Sequence, residues 1–334
     1  MTKIISFIFV TACILFMSGC GTKRQYFEPK NLDGNARFDG SLSSGIKEVA
    51  KDGASLKNGT VITREGNEVN INLEDGYSFL GEFDGKFITV SHYGLLHVKN
   101  NEGKLIYNKD IGAMVASASI DEDTLAVITS DNSLSVIDTS SDTTIFQKKF
   151  DSMPSLDSRI AAPYFLGSLV IFPTLDGKLV IVDRNNGSLI RSVVVSAERD
   201  FNNVIFLDVV EDRMFAATAK RIISISPTNI NYVDESIKDV ILMNDRVFTF
   251  GKNGKVTLMD LDLKVLNEQE FSFSIFSAVA AKEKLYIIEK RGYLIKSDLD
   301  LKNFEVFELP FSIDDFLFVA NDKIYYGDSF YTLE

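Results

Sequence analysis

One short pattern recurs along the chain and limits what it can fold into. DGKLVIVDRNNGSLIR (residues 176–191) is two extended runs joined by a turn. Leu179 and Ile181 point to one side, Val180 and Val182 to the other, and Asp183-Arg184-Asn185-Asn186-Gly187 supplies the turn chemistry. The pattern returns in YGLLHVKNNEGKLIYN (93–108), DNSLSVIDTSSDTTIF (131–146), NGKVTLMDLDLKVLNE (253–268) and RGYLIKSDLDLKNFEV (291–306), and more weakly in KRIISISPTNINYV (220–233). A second signal, a polar turn followed by a short apolar run, begins at Gly85, Asp123, Gly167, Asp212, Asp245, Glu283 and Asp322, at intervals of 33 to 45 residues. A further apolar segment stands in front, as in YSFLGEF (77–83) and NVIFLDVV (203–210). Helical periodicity is almost absent. Each unit of roughly 40 residues therefore reads as four short antiparallel strands, which is the period of a β-propeller blade.

Seven such starting points predict an all-β chain, a β-propeller of seven four-stranded blades over residues 59–334. The last unit runs out at Glu334 without an outer strand, whereas Thr60–Arg64 and Glu68–Leu73 are extended and belong to no other unit. An N-terminal strand that completes the last blade would close the ring and pair both open edges. One of these two segments is expected to do so.

The N-terminus carries a different kind of information. Lys3 precedes an apolar run, Ile4 to Met17, which is too short to span a bilayer comfortably, and Met17-Ser18-Gly19-Cys20 follows. This resembles the lipobox of bacterial lipoproteins, which implies a signal peptide at 1–19 and lipid attachment at Cys20. The only other cysteine is Cys13, so the mature body would hold no thiol. Disulfides, thiol catalysis and cysteine metal sites are then excluded. Residues 20–58, rich in Gly, Ser, Asn and Lys, read as the lipidated cysteine followed by a flexible tether. The chain carries 47 acidic against 35 basic residues, a net charge of −12, which argues against nucleic acid as a partner.

The tandem hairpin in VDRNNGSLIR resembles the repeat of the pyrroloquinoline-quinone-type propellers, a family that includes quinoprotein dehydrogenases and the BamB-type outer-membrane assembly lipoproteins. The family repeat usually closes on Trp, where this chain has Tyr107 and Phe146, and Trp is absent altogether. A quinoprotein dehydrogenase, by resemblance, needs a Trp floor under the quinone. This chain cannot supply one. His92 and His97, the only histidines, offer two metal ligands with no third indicated. The Asp-rich turns at 121–124, 183–187, 260–263 and 298–301 do not complete a calcium loop and read as backbone-capping turns. No serine elbow, phosphate-cradling loop or H-E-x-x-H motif is present. No catalytic residue, cofactor or metal is therefore expected, and the chain is not read as an enzyme.

The reading that remains is a membrane-anchored periplasmic scaffold for protein–protein interaction. By resemblance, Gly21 after the acylated cysteine points to the periplasmic face of the bacterial outer membrane, and the partners to proteins at that membrane, among them a β-barrel assembly complex. The alternative is a surface propeller that binds a small ligand or glycan. The lipid anchor is directly testable. Intact mass of the mature protein should show acylated Cys20 at the N-terminus, and Cys20→Ala should move the protein out of the membrane fraction. An unmodified mature terminus at another residue would contradict it.

Overall fold

A computed structural model describes residues 27–271 and 275–334. The expected signal peptide and Cys20 lie outside them. Among the described residues every regular element is a strand, and the strands form eight sheets arranged as blades. They are blade I (46–70), II (77–110), III (115–149), IV (164–194), V (206–234), VI (237–270), VII (275–308) and VIII (317–332). The propeller is confirmed, but it has eight blades rather than seven.

The additional blade is blade I. Thr60–Thr63 and Glu68–Asn70, expected to close the ring, are its third and fourth strands, and Ile46–Ala50 and Gly53–Leu56 are its first and second. The expected tether at 20–58 therefore overlaps the propeller, which begins before residue 59. The second strand escaped notice because its sequence is GASL, small residues with little strand propensity. Tertiary packing overrides that preference: all four residues are buried. Gly53 is required there, because a Cβ would fall 2.3 Å from the ring of Phe79.

In each of blades II to VI the first strand is innermost and the fourth outermost, and successive strands are antiparallel. The hairpins between first and second strands turn on residues with positive φ, such as Asp84, Glu122, Glu211 and Asn244, as two-residue turns that match strand twist require. Those polar pairs are what made the repeat visible. The core is divided into eight clusters, most of them between adjacent blades. Ile88, Leu96 and Val98 of blade II meet Ala118, Leu125 and Val127 of blade III, and Ile46, Leu56 and Ile62 of blade I meet Phe318 and Tyr325 of blade VIII.

Closure does come from the N-terminus, through an earlier segment than expected. Strand β1 (Gly34–Asn35) lies parallel to Phe304–Glu308, the outer strand of blade VII, and β2 (Gly40–Ser41) lies antiparallel to Ser329–Thr332 as the missing outer strand of blade VIII. Asp39 accepts hydrogen bonds from the Thr332 N–H at 3.1 Å and from its hydroxyl at 3.1 Å. Phe38 stacks on Phe311 at 5.2 Å, and Phe311 on Tyr326 at 3.9 Å. A Cβ at Gly40 would fall 2.0 Å from the ring of Phe330. Gly40→Val should accordingly destabilise the chain by about 1–3 kcal/mol through overpacking, and removal of residues 27–41 by more. Thermal melting of the two variants checks this. Unchanged midpoints would show that the strap is not part of the ring's stability.

Candidate functional site

The innermost strands surround a central channel, and that channel holds charged side chains that the repeat does not require. Lys51, in the turn between the first two strands of blade I, points into it. Its ammonium donates to the carbonyl of Ile205 and stands 5.3 Å from the ring centroid of Phe206, at the inner edge of blade V. Lys51 thus forms a bar from blade I to the far side of the ring. Cavities of about 400 and 340 Å³ lie on either side of this bar. Asp208 and Asp239 face the larger one, while Lys51, Asp52 and Arg64 line both. Asp52 and Arg64 form an ion pair at 3.7 Å.

Burial lowers the Lys51 amine below its ordinary range, against the opposing pull of Asp52 and Asp239. Burial likewise raises the Asp239 carboxyl, although Lys51 acts in the other direction. Lys238 belongs to the same set. It sits at an irregularity in the first strand of blade VI, between Ile237 and Asp239, and such irregularities re-aim side chains. Its ammonium donates to the carbonyl of Ile275 and lies 4.9 Å from the Phe276 ring centroid. Burial first, then the neighbouring charge of Arg159, lowers its pKa to about 8.

The face on which blades connect to one another covers the channel mouth. The connectors at 150–163 and 195–205 are long, and they are bonded to each other. The Ser155 hydroxyl donates to Asp200 at 2.7 Å, and the N–H of Phe201 donates to the Ser155 carbonyl at 3.1 Å. Asn203 accepts the Asp157 N–H at 2.7 Å and donates to the carbonyls of Asp157 and Arg159 at 3.1 and 2.9 Å. Arg159 Nε and Nη2 donate to the two oxygens of Asp157 at 2.8 and 2.6 Å. Although burial would raise the Asp157 carboxyl, these bonds hold it below the usual range. Lys252 of blade VI stands 3.6 Å from the same carboxylate. The connector between blades III and IV thereby reaches across to blade VI. Phe201, with φ of 54° and half of its surface exposed, holds a backbone conformation that is costly for a bulky residue.

The residues considered from sequence fall elsewhere. His92 is exposed in a turn. His97 stacks on Tyr77 at 4.6 Å and shares a 3.2 Å hydrogen bond with its hydroxyl, so the two histidines do not converge. Among the described residues no group of three His, Cys, Asp or Glu side chains could hold a metal. Three of the four Asp-rich turns cap backbone: Asp183 accepts the Asn185 N–H at 2.8 Å, Asp260 those of Asp262 and Lys264 at 2.9 Å, and Asp298 that of Lys302 at 2.8 Å, whereas in the turn at 121–124 Asp121 pairs with Arg184. No sequence spacing groups the channel residues, because they come from separate blades. The available hints were charged pairs beside apolar runs, Lys51-Asp52 and Lys238-Asp239, and the polar length of the two connectors.

With this geometry in view, residues 55–303 match the family model described as outer membrane protein assembly factor BamB. The chain belongs to that family. Among solved structures, BamB from Moraxella catarrhalis superposes with a TM-score of 0.65, covering 88% of this chain and 100% of that one at 15% sequence identity, a level that shows the fold alone. Closer in sequence are the plasminogen-binding proteins PgbB of two Helicobacter pylori strains, 26695 and J99. They are 30% and 31% identical over 319 residues, covering 82% of this chain. The chain spans 58–59% of the length of these relatives. The channel charge of this chain can be tested directly.

The position of Lys238 gives such a test. Its folded-state pKa of about 8 lies below the ordinary 10.5, so the unfolded chain binds the proton more tightly. The penalty is fully present below pH 8 and is relieved as pH rises from 8 towards 10.5. Against Lys238→Met, the unmodified protein should gain relative stability between pH 7 and pH 10. Denaturant melts at the two pH values read the difference. A gap that does not change would contradict the lowered pKa.

Proposed function

We propose that this propeller is a protein-binding scaffold, not an enzyme, and that plasminogen is the partner to test first. The observation that carries the reading is the roughly 30% identity over 319 residues, covering 82% of this chain, to proteins named for plasminogen binding. The surface supports protein binding in general. On the face where blades connect, Tyr93 is 90% exposed, and Met114, Phe201 and Phe316 are each about half exposed. Aromatic and methionine side chains presented on rigid loops are the usual anchors of protein interfaces.

Anchoring through Cys20 to the outer membrane would confine this face to a membrane surface and raise its effective concentration towards partners there. The family match over 55–303 favours a second reading, assistance to the assembly of outer-membrane β-barrels. The two readings differ in orientation, since a plasminogen partner requires the propeller to face outward and barrel assembly requires it to face the periplasm.

Surface plasmon resonance with the purified chain immobilised should show saturable plasminogen binding, weakened several-fold by Tyr93→Ala if the connector face is used. Protease added to intact cells should then degrade the propeller. Absence of binding, together with co-purification of a barrel assembly complex from detergent extract, would overturn the first reading in favour of the second.

A further inference from the structure

Arg159 is under-used by the fold. Its Nε and Nη2 are committed to Asp157, but Nη1 is buried and has no hydrogen-bond partner. A buried donor left unmade costs on the order of 1–3 kcal/mol, more for a charged group, so such an atom calls for an explanation. The surroundings supply one. Lys252 stands beside the same carboxylate at 3.6 Å, and Lys238, a blade VI neighbour, feels the charges of Arg159 and Lys252 strongly enough for both to disfavour its protonation.

The charges do not balance. Four cations, Arg159, Lys238, Lys252 and Lys51, stand against Asp157 and Asp239, and Asp239 is itself held towards its neutral form by burial. This surplus sits in a chain whose net charge is −12. Mutual repulsion among cations that stand together is relieved by an anion placed between them. Four cations against two carboxylates leave a positive excess. It suits a single carboxylate better than a more highly charged group, which Asp157 would repel. A guanidinium edge beside an ammonium is also the donor arrangement that carboxylate oxygens accept.

We propose that the covered mouth of the channel is a carboxylate-binding site, in which Arg159 Nη1 and the ammonium groups of Lys252 and Lys238 receive one carboxylate. That carboxylate belongs either to a free small acid or to an acidic side chain of a bound polypeptide. The Lys252 side chain is 50% accessible and meets a carboxylate from solvent, whereas contact with the buried Nη1 requires the Arg159 side chain, 27% accessible, to turn that edge outward. Asp157 and Asn203 position the guanidinium, and the Ser155–Asp200 bond ties the two connectors that carry them. Plasminogen need not be the partner for this site to exist.

Isothermal titration calorimetry on the full chain at constant ionic strength tests it with two probes, succinate and an acetylated, amidated tetraglutamate peptide. Saturable one-to-one binding of at least one probe is expected, at least tenfold weaker in Arg159→Gln and several-fold weaker in Lys252→Gln. Lys302→Gln, on the opposite face and 69% exposed at its side chain, should bind as the unmodified chain does. Affinity should also fall as pH rises through about 8, where Lys238 loses its proton. Succinate binding alone identifies a free acid as the ligand, and peptide binding alone identifies a polypeptide side chain. If Arg159→Gln does not fold, Lys252→Gln, altered at a half-exposed side chain, carries the test. Neither probe binding above a chloride control, or undiminished binding in the folded variants, would overturn the assignment.

Discussion

A ring of sheets is stable only if its last sheet meets its first. Every blade buries one face against the preceding blade and the other against the following one, so a break at any junction would expose two apolar faces at once. In this chain the vulnerable junction is VII–VIII–I, where the C-terminus contributes only three strands to blade VIII. The N-terminal segment resolves this in two ways. It adds β1 alongside blade VII and β2 to blade VIII, and the same chain then enters blade I as its innermost strand. Tyr325 adds a hydrogen bond of 2.9 Å from blade VIII to the Gly66 carbonyl in blade I. All eight sheets inherit their fixed positions from this one clasp.

A closed ring also creates a space that its blades cannot fill. Eight inner strands leave a channel in which charge is costly unless partnered. Lys51 and Asp239 nevertheless line it, with Lys238 beside Asp239, each moved towards its neutral form by burial. An apolar filling would have served stability better, and no repeat position demands these groups. Charge retained at such a cost in a site enclosed by rigid walls is more consistent with recognition than with packing.

The extent to which sequence revealed this differs between the repeat and the channel for a physical reason. Strand hairpins are local: Asp84-Gly85, Glu122-Asp123 and Asn244-Asp245 mark their own turns, and alternating apolar residues beside them mark their own faces. Seven of eight blades could be counted from such marks. Blade I could not, because its GASL strand is chosen by the space left beside Phe79 rather than by strand propensity. The mouth of the channel is non-local in every contact. Arg159 owes its position to Asn203, 44 residues away, and Lys252 belongs to a blade two further along the ring from the connector it meets. No spacing rule spans such distances, and the closing strand Gly40–Ser41 was hidden for the same reason, since its partner lies at the opposite end of the chain.

The clasp has one further property, which is mechanical. If Cys20 is acylated, only six residues separate it from Phe27, which packs edge-on against Tyr293 of blade VII at 5.6 Å. A leash of that contour spans at most about 23–25 Å. Any pull between membrane and propeller, whether from a tugging partner or from flow, would therefore arrive first at the two-residue strand β1 and then at β2. The strap that holds the ring shut would be the seam that takes the tension, and a pull on the anchor would tend to unzip the propeller at blades VII and VIII before it disturbed the blades opposite.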